Sequence, residues 1–466
     1  MKLHHLASTK LRGFAISLGF LLFLGITAFG KSDRPNIVFI LVDDLRADAL
    51  SISGHPFSKT PHIDRIGNEG AMFKNAFVTT PLCSPARASF LTGQYVHKNG
   101  VLGNGALYSQ LSHELITFPR LLRDAGYESA YVGKWHMGND DSPRPGFDHW
   151  VSFKGQGVYE NPPININGTS KKVEGYMTDI LNEHAVSFVK QPHSKPFVLY
   201  FSHKAVHGPF TPAERHKGIY ADKKITMSPS AKDTLEGKLV LIREVEEKGK
   251  KMSNVQRQMT GQGRIPEGTI RGQLESMLSI DEGVGQLLKA LEETQQLDNT
   301  IVIFTSDNGY LWAEHGLGDK RWAYEESIRI PLLVRYPKLI KAGLQPEQLA
   351  LNIDIAPTLL QLAGAPVPKD IDGKSLLPVF KSKKADLREL AFLEYIAEPN
   401  YPRQAGWQAV RSHRYKYIHY TELSGMDEFY DLKSDPYEMK NLINDSKVKK
   451  SVAQYKAEQQ KFFPKN

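Results

Sequence analysis

An acidic pair, an acid–amide pair and one lone cysteine carry much of the chemistry this sequence offers. Asp43-Asp44 ends the apolar run Asn36–Val42, and Asp307-Asn308 closely follows the similar run Thr300–Thr305. Adjacent carboxylates repel unless something neutralises them, and a hard divalent cation does so. All-oxygen donors favour calcium, with magnesium second, over zinc. One Asp-Asp pair alone would equally suit a helix N-terminus. Two matched strand ends argue for a metal site. The lone cysteine lies in Pro81-Leu82-Cys83-Ser84-Pro85-Ala86-Arg87. A structural free cysteine usually sits among apolar residues. A helix beginning near Pro85 would instead put Cys83 at its N-terminus with Arg87 one turn on, an arrangement that receives an anion. Lys134 and His136 follow the expected strand Ser129–Val132. His203 and His207 follow Phe197–Phe201, and Lys320 follows the Asp307 strand. Taken singly, each lysine reads as solvated and each histidine as structural. Together they fall at the strand ends, where open α/β sheets bind ligands. Cations around a metal suit attack at a sulfate or phosphate centre.

The elements that must hold these residues follow from the apolar patterning. The run Asn36–Val42 is continuous and β-branched, as in a strand covered on both faces. Further strands are expected at Phe197–Phe201 and Ile330–Arg335. Leu274, Met277, Leu278, Leu287, Leu288 and Leu291 keep helical spacing, and Phe118–Gly126 reads as a helix with a glycine stop. Alternating strands and helices imply an α/β fold, with a large mostly parallel sheet flanked by helices. From about residue 381, Trp407–Tyr420 alternates aromatic and basic residues and predicts a strand or hairpin in a small C-terminal α+β subdomain. Its Arg411, Arg414 and Lys416 read as a solvated strand face ahead of a binding surface. Residues 214–268 are charged and poorly periodic, an insertion that is either a lid near the site or a surface excursion. The expected organisation is a signal segment over 1–30, a catalytic domain over 31–380 and the subdomain over 381–466.

The 466 residues are 41% hydrophobic and 24% charged, an ordinary globular balance that argues against a disordered, collagenous or polytopic membrane chain. Lys2, Lys10 and Arg12 precede the uncharged run Gly13–Gly30, the pattern of a secretory signal. The alternative is a retained anchor. Cleavage would lower the formal charge from +8 to about +5 and leave an exported chain, periplasmic or secreted, with no stable membrane insertion. That surplus can attract an anionic substrate, but no basic run with interleaved aromatics points to nucleic acid. A single cysteine excludes an intrachain disulfide. No nucleophile elbow, zinc helix, Walker A loop or complete dinucleotide fingerprint occurs.

Cys83-Ser84-Pro85-Ala86-Arg87 followed by Leu91-Thr92-Gly93 resembles the signature of the formylglycine-dependent type I sulfatases, of the alkaline phosphatase-like superfamily. Similar segments are Asp43-Asp44, Gly133-Lys134-Trp135-His136, His207-Gly208-Pro209-Phe210, Ser306-Asp307-Asn308-Gly309 and Glu314-His315-Gly316 to Lys320. The resemblance spans nearly the whole chain after residue 30. It implies that a formylglycine-generating maturation enzyme oxidises Cys83 to 3-oxoalanine, whose hydrate is the nucleophile. It implies calcium held by Asp43, Asp44, Asp307, Asn308 and the modified Cys83. Arg87 would stabilise the hydrate, Lys134 and Lys320 would bind sulfate, His207 would protonate the leaving alcohol and His136 would assist the return to aldehyde. That division of one hard step into two is covalent catalysis. Asp319, directly before Lys320, departs from the pattern of many relatives.

Asp148-His149-Trp150 to Gly157 and Ser202–Pro212 look like bacterial polysaccharide and N-acetylglucosamine-6-sulfate sulfatases, with ulvan and carrageenan sulfatases also similar. The implied substrate is therefore a sulfated glycan. Asn104, His97, His149, Trp150 and the 214–268 insertion are candidate sugar contacts, although each taken singly reads first as structural. Two other functions remain open at this stage. One is a phosphonate or phosphate ester hydrolase of the same superfamily. The other is a non-catalytic glycan-binding protein, if Cys83 is unmodified.

Overall fold

Residues 34–247, 249–253, 265–382 and 384–463 are described by a computed structural model. The signal-segment reading of residues 1–30 lies outside them. Strand β1 (Asn36–Val42) is buried along its whole length. Val38, Ile40 and Val42 face a layer that includes the helices Met177–Lys190 and Glu267–Glu293. Ile37, Phe39 and Leu41 face the opposite layer, with the helices Cys83–Thr92, Phe118–Asp124 and Ile355–Leu362. Helices on both faces explain why the run never alternates with polar residues.

The other strands of this sheet are β2 (Ala71–Met72), β3 (Glu128–Gly133), β4 (His149–Ser152), β5 (Pro163–Ile166), β6 (Thr169–Lys172), β7 (Phe197–Ser202), β8 (Thr300–Ser306) and β9 (Leu332–Arg335). Their spatial order is β2-β9-β8-β1-β7-β3-β4-β5-β6. The central strands β8, β1, β7, β3 and β4 run parallel. The flanking pairs β8–β9, β9–β2, β4–β5 and β5–β6 are antiparallel. Register places Val42 beside Ser306, Leu41 beside Ser202, and Gly133 beside Ser202. Four neighbouring strands therefore end at one edge, and each leads directly into residues singled out for chemistry.

A second sheet holds β10 (Ala391–Tyr395), β11 (Trp407–Arg411), β12 (Tyr415–Tyr420) and β13 (Glu428–Asp431), antiparallel in that order. The helix Lys449–Phe462 covers one face, where Tyr455 packs with Val410, Tyr417 and Phe429. The other face, with Leu393, Trp407, Ala409 and Ile418, packs against Trp322 and Tyr324 of the main body. This contact corrects the solvated-face reading of Arg411 and Lys416. Arg411 is bidentate to Glu325 at 3.1 and 3.0 Å, and its guanidinium lies over the Phe77 ring. Lys416 is fully buried between Glu438 at 2.5 Å, the Ala323 carbonyl at 2.7 Å and Glu325 at 3.2 Å. Only Arg414 is exposed, paired with Asp431. The two buried cations sit opposite one another across β11 and β12. Glu325 between them offsets the repulsion such a pair would suffer.

The 214–268 segment is not a free excursion in its described part. Tyr220, Leu235, Val240 and Leu241 are buried. Asp233 accepts from His315 at 2.6 Å and pairs with Lys238 at 3.0 Å, and Lys238 also reaches the Met439 carbonyl. The segment thus ties the main body to the C-terminal subdomain. Removing one partner of a buried ion pair leaves the other uncompensated. Lys416→Ala is expected to lower the unfolding free energy by about 3–5 kcal/mol. Arg414→Ala should change it by less than about 0.5 kcal/mol. Urea midpoints at unchanged slope are the measurement.

Candidate active site

Asp43 and Asp44 continue β1, Asp307 and Asn308 continue β8, and Lys134 and His136 follow β3. His207 follows β7 after a short turn. The end of β3 requires its glycine. Gly133 has φ +122°, and a Cβ there would stand 1.7 Å from the Ser202 carbonyl oxygen. Asp44 and His136 hold positive φ, 60° and 55°, which bends each strand exit sharply into the site.

Cys83 opens a helix that is buried throughout, Cys83–Thr92. No side chain caps it from Leu82, but the Ser84 N–H donates to Asn104 Oδ1 at 3.0 Å. Cys83 Sγ lies 3.4 Å from Asp43 Oδ1. Arg87, one turn on, donates from Nε to Asp307 Oδ2 at 2.9 Å, and its Nη2 forms an ion-pair contact with the same oxygen at 2.8 Å. Its Nη1 donates to the Lys134 carbonyl and the Ser202 hydroxyl, each at 2.6 Å. One guanidinium therefore clamps three strand ends and the Cys83 helix together.

The lysines complete the ring of charge. Lys134 Nζ meets Asp43 Oδ2 and donates to Gln156 Oε1 at 2.6 Å. Lys320 Nζ donates to both Asp44 oxygens, at 2.5 and 2.7 Å. His207 Nε2 stands 3.8 Å from Asp44 Oδ2, while Nδ1 faces the Gly208 carbonyl at 3.0 Å. Tyr159 fixes the loop by donating to the His207 carbonyl at 2.6 Å. The predicted residues Asp43, Asp44, Cys83, Arg87, Lys134, His136, His207, Asp307, Asn308 and Lys320 thus converge on one small volume.

The electrostatics follow from burial and crowding. Burial opposes ionisation of Asp43, but Lys134, His207, Arg87 and Lys320 outweigh it and hold the carboxyl well below its usual value. Asp307 goes the other way, pushed up to about 7 by burial and by Asp43. Burial, then Asp43, pushes the Cys83 thiol up, so the free thiol is a poor nucleophile at neutral pH. His207 is pulled down to about 4 by burial, Lys134 and Lys320. His136 is lowered by burial and Lys134, and its buried Nδ1 has no hydrogen-bond partner among the described residues.

The donor set fits a hard cation. Carboxylate oxygens of Asp43, Asp44 and Asp307 lie within 4.8 Å of one another. Asn308 Nδ2 donates to Asp44 Oδ1 at 2.6 Å, while its buried Oδ1 has no hydrogen-bond partner among the described residues. An unpaired amide oxygen beside three carboxylates is what an oxygen-coordinated divalent ion requires.

Some expected residues lie elsewhere. His203 is buried against Phe201 and neither ring nitrogen has a hydrogen-bond partner among the described residues, so His207 alone of the two faces the carboxylates. Trp150 is a core residue stacked on Tyr131 with its Nε1–H on the Asp141 carbonyl. His149 begins β4, at the end of the sheet away from the strand exits. His97 bonds Glu394 of the C-terminal sheet at 2.7 Å. Asn104 reaches the site through its bond to Ser84. Three residues escaped the sequence reading. Gln156 holds Lys134, and Tyr159 supports His207. Lys204 lies buried over the Tyr159 ring, its pKa drawn down to about 8 by burial and Lys134. Lys204 follows β7 directly, so the strand-exit rule that found Lys134 would have found it too.

A metal-fitting acidic cluster, ringed by cations at the exits of a parallel sheet, defines a hydrolase acting on an anionic ester. The Sulfatase family model matches residues 35–365, and the model for the C-terminal part of N-sulphoglucosamine sulphohydrolase matches residues 313–463. The chain belongs to the sulfatase family and is a sulfuric ester hydrolase. It is 34% identical to an N-acetylglucosamine-6-O-sulfatase of Bacteroides thetaiotaomicron, covering 94% of this chain and 88% of that one. It is 30% identical to an ulvan-active sulfatase of Formosa agariphila, covering 88% and 77%. A solved structure of a protein in complex with its substrate D-glucosamine-2-N,6-O-disulfate superposes with a TM-score of 0.82 at 33% identity, covering 92% of this chain and 97% of that one.

Proposed function

We propose that the protein is an exported sulfatase that removes the 6-sulfate from N-acetylglucosamine or glucosamine residues of a sulfated glycan. The observation that carries the reading is the ring of Arg87, Lys134, Lys320 and His207 around the Asp43–Asp44–Asp307 cluster and Cys83. The relatives named for 6-sulfated glucosamine supply the sugar. The N-terminal basic and apolar segment supports export. Among the described residues no helix is long and apolar enough to cross a membrane.

In this proposal a maturation enzyme of the host converts Cys83 to formylglycine, which supplies a hydrated aldehyde hydroxyl as the nucleophile that a buried thiol cannot provide. Asp43, Asp44, Asp307 and Asn308 would hold calcium, which supplies positive charge that lowers the proton affinity of that hydroxyl and draws in the ester oxygens. Arg87 fixes the nucleophile helix against Asp307 and the β3 exit. Lys134 and Lys320 approach from two sides and orient the sulfate oxygens. His207 gives a proton to the departing sugar oxygen. Its pKa is lowered by burial and by two lysines, and an anionic ester arriving among them adds the opposite charge that raises it. His136 is held neutral by burial and Lys134, so it can accept a proton when sulfate is expelled.

The protein co-expressed with a maturation enzyme is expected to release sulfate from 6-sulfated N-acetylglucosamine, and faster than from ulvan or carrageenan oligosaccharides. The Cys83 peptide should then weigh less by one sulfur and two hydrogens exchanged for one oxygen. Cys83→Ala should abolish release while leaving the unfolding curve unchanged. No release from any glycan by protein bearing the modified mass would overturn the substrate reading. Calcium at about a hundredfold its dissociation constant should stabilise the wild type by about 2.7 kcal/mol, and Asp307→Ala should remove that gain in thermal melts. His207→Ala should slow sugar sulfates far more than activated aryl sulfates, because help from a proton donor matters most for a poor leaving group. Equal losses on both would sink that role.

A further inference from the structure

Lys320 is presented by a turn held in an uncommon conformation on both sides. Asp319 has φ +69° and Arg321 has φ +82°, the left-handed region that non-glycine residues rarely occupy. Such a conformation persists only where the surroundings over-determine it. Here the surroundings come largely from the C-terminal subdomain. Arg321 donates from Nε to Glu398 Oε2 at 2.8 Å and from Nη1 to Asp319 Oδ2 at 2.5 Å. Its guanidinium lies 3.7 Å from the centroid of the Tyr401 ring. The Arg321 carbonyl accepts from Trp407 Nε1 at 2.7 Å, and its N–H donates to the Pro81 carbonyl at 3.2 Å.

Glu398 sits at the centre of this arrangement. Besides Arg321, its Oε2 accepts from the Tyr395 hydroxyl at 3.2 Å, and its Oε1 accepts from the Asn104 N–H at 3.3 Å. Asn104 in turn holds the Ser84 N–H, one residue past Cys83. One carboxylate of the C-terminal subdomain therefore touches both the turn that carries Lys320 and the loop that caps the nucleophile helix. Asp319, the departure from the sulfatase pattern, acts as the second anchor of Arg321.

We propose that Glu398 is a positioning residue through which the C-terminal subdomain sets Lys320 and the start of the Cys83 helix in register for a sulfate group. The inference rests on the sulfatase reading of the same site. Arg321 transmits the effect to Lys320, and Asn104 transmits it to Cys83. Without the Glu398 charge, the Lys320 turn loses the contact that holds Arg321 in its left-handed conformation. The ammonium then leaves its place beside Asp44.

The test is the inhibition constant of inorganic sulfate, read beside kcat/KM on the sulfated sugar and the melting temperature. Glu398→Gln should raise the sulfate inhibition constant and lower kcat/KM, each by about tenfold, the scale that a small misplacement of a binding group produces. The melting temperature should fall by only about 2–4 °C, since Arg321 keeps its Asp319 partner. Glu398→Asp, which restores the charge, should recover part of both losses. Tyr401→Leu, which removes only a partly exposed ring, gives a milder shift in the same direction and serves if Glu398→Gln folds poorly. Arg414→Ala, remote from the network, should match the wild type. A lower melting temperature with an unchanged sulfate inhibition constant would make Glu398 merely structural and overturn the inference. Wild-type kinetics in Glu398→Gln would overturn it too. A wild type that neither releases nor binds sulfate overturns the underlying functional reading, and the inference with it.

Discussion

Three buried carboxylates pressed together are the constraint on which the rest of this structure depends. Asp43, Asp44 and Asp307 are essentially buried, and their oxygens crowd one another at two adjacent strand exits. Such a cluster is tolerable only when opposite charge surrounds it. Arg87, Lys134 and Lys320 supply that charge, and each comes from a different element. Electrostatic balance and architecture are therefore one problem. The Cys83 helix must lie where Arg87 reaches Asp307, β3 must end where Lys134 reaches Asp43, and the turn after β8 must bring Lys320 to Asp44. The same cations that balance the acids are those suited to an anionic ester. The balance is incomplete, since Asp307 is still pushed up to about 7 by burial and Asp43, and Asn308 Oδ1 remains unpaired. Both features suit a bound cation.

The C-terminal subdomain takes part in this balance. Its sheet buries one face against the main body through Trp407, Leu393 and Ile418, and it carries charged anchors inward with the apolar ones. Arg411 and Lys416 meet Glu325, and Glu398 meets Arg321. Glu325 and Arg321 lie on the same stretch of chain, just beyond Lys320. The subdomain thus grips the segment that delivers the second lysine to the site. The insertion adds a further grip from the other side, through Asp233 on His315 and Lys238 on the Met439 carbonyl.

Much of the site was legible from spacing alone, for a physical reason. Residues that follow a buried parallel strand must emerge at its carboxyl end, so Asp43, Asp307, Lys134 and His207 could be assigned to one edge without knowing the strand order. Cys83 and Arg87, four apart, could be assigned to one helix face. The rule stopped where the chain leaves regular structure. Gln156 and Tyr159 lie on an irregular loop with no period to read. Trp150 and His149 were candidate sugar contacts only through the resemblance of their segment to glycan sulfatases, and β4 directs one into the core and places the other at the opposite end of the sheet. Arg411 and Lys416 alternate like a solvated strand, and nothing local reveals that Glu325 and Glu438, distant in sequence, wait on the covered face.

The sequence by itself determined the main element types and the edge at which the functional groups gather, because apolar periodicity and strand-exit chemistry are local properties, and the Cys83–Gly93 motif carried the resemblance to the family. Tertiary structure alone decided which exits are neighbours and which cation pairs with which acid. It also decided that the Lys320 turn is held by a carboxylate from another sheet. These are contacts between residues far apart in the chain. Their energies depend on distance and on the exclusion of water, and neither is written in any short stretch of sequence.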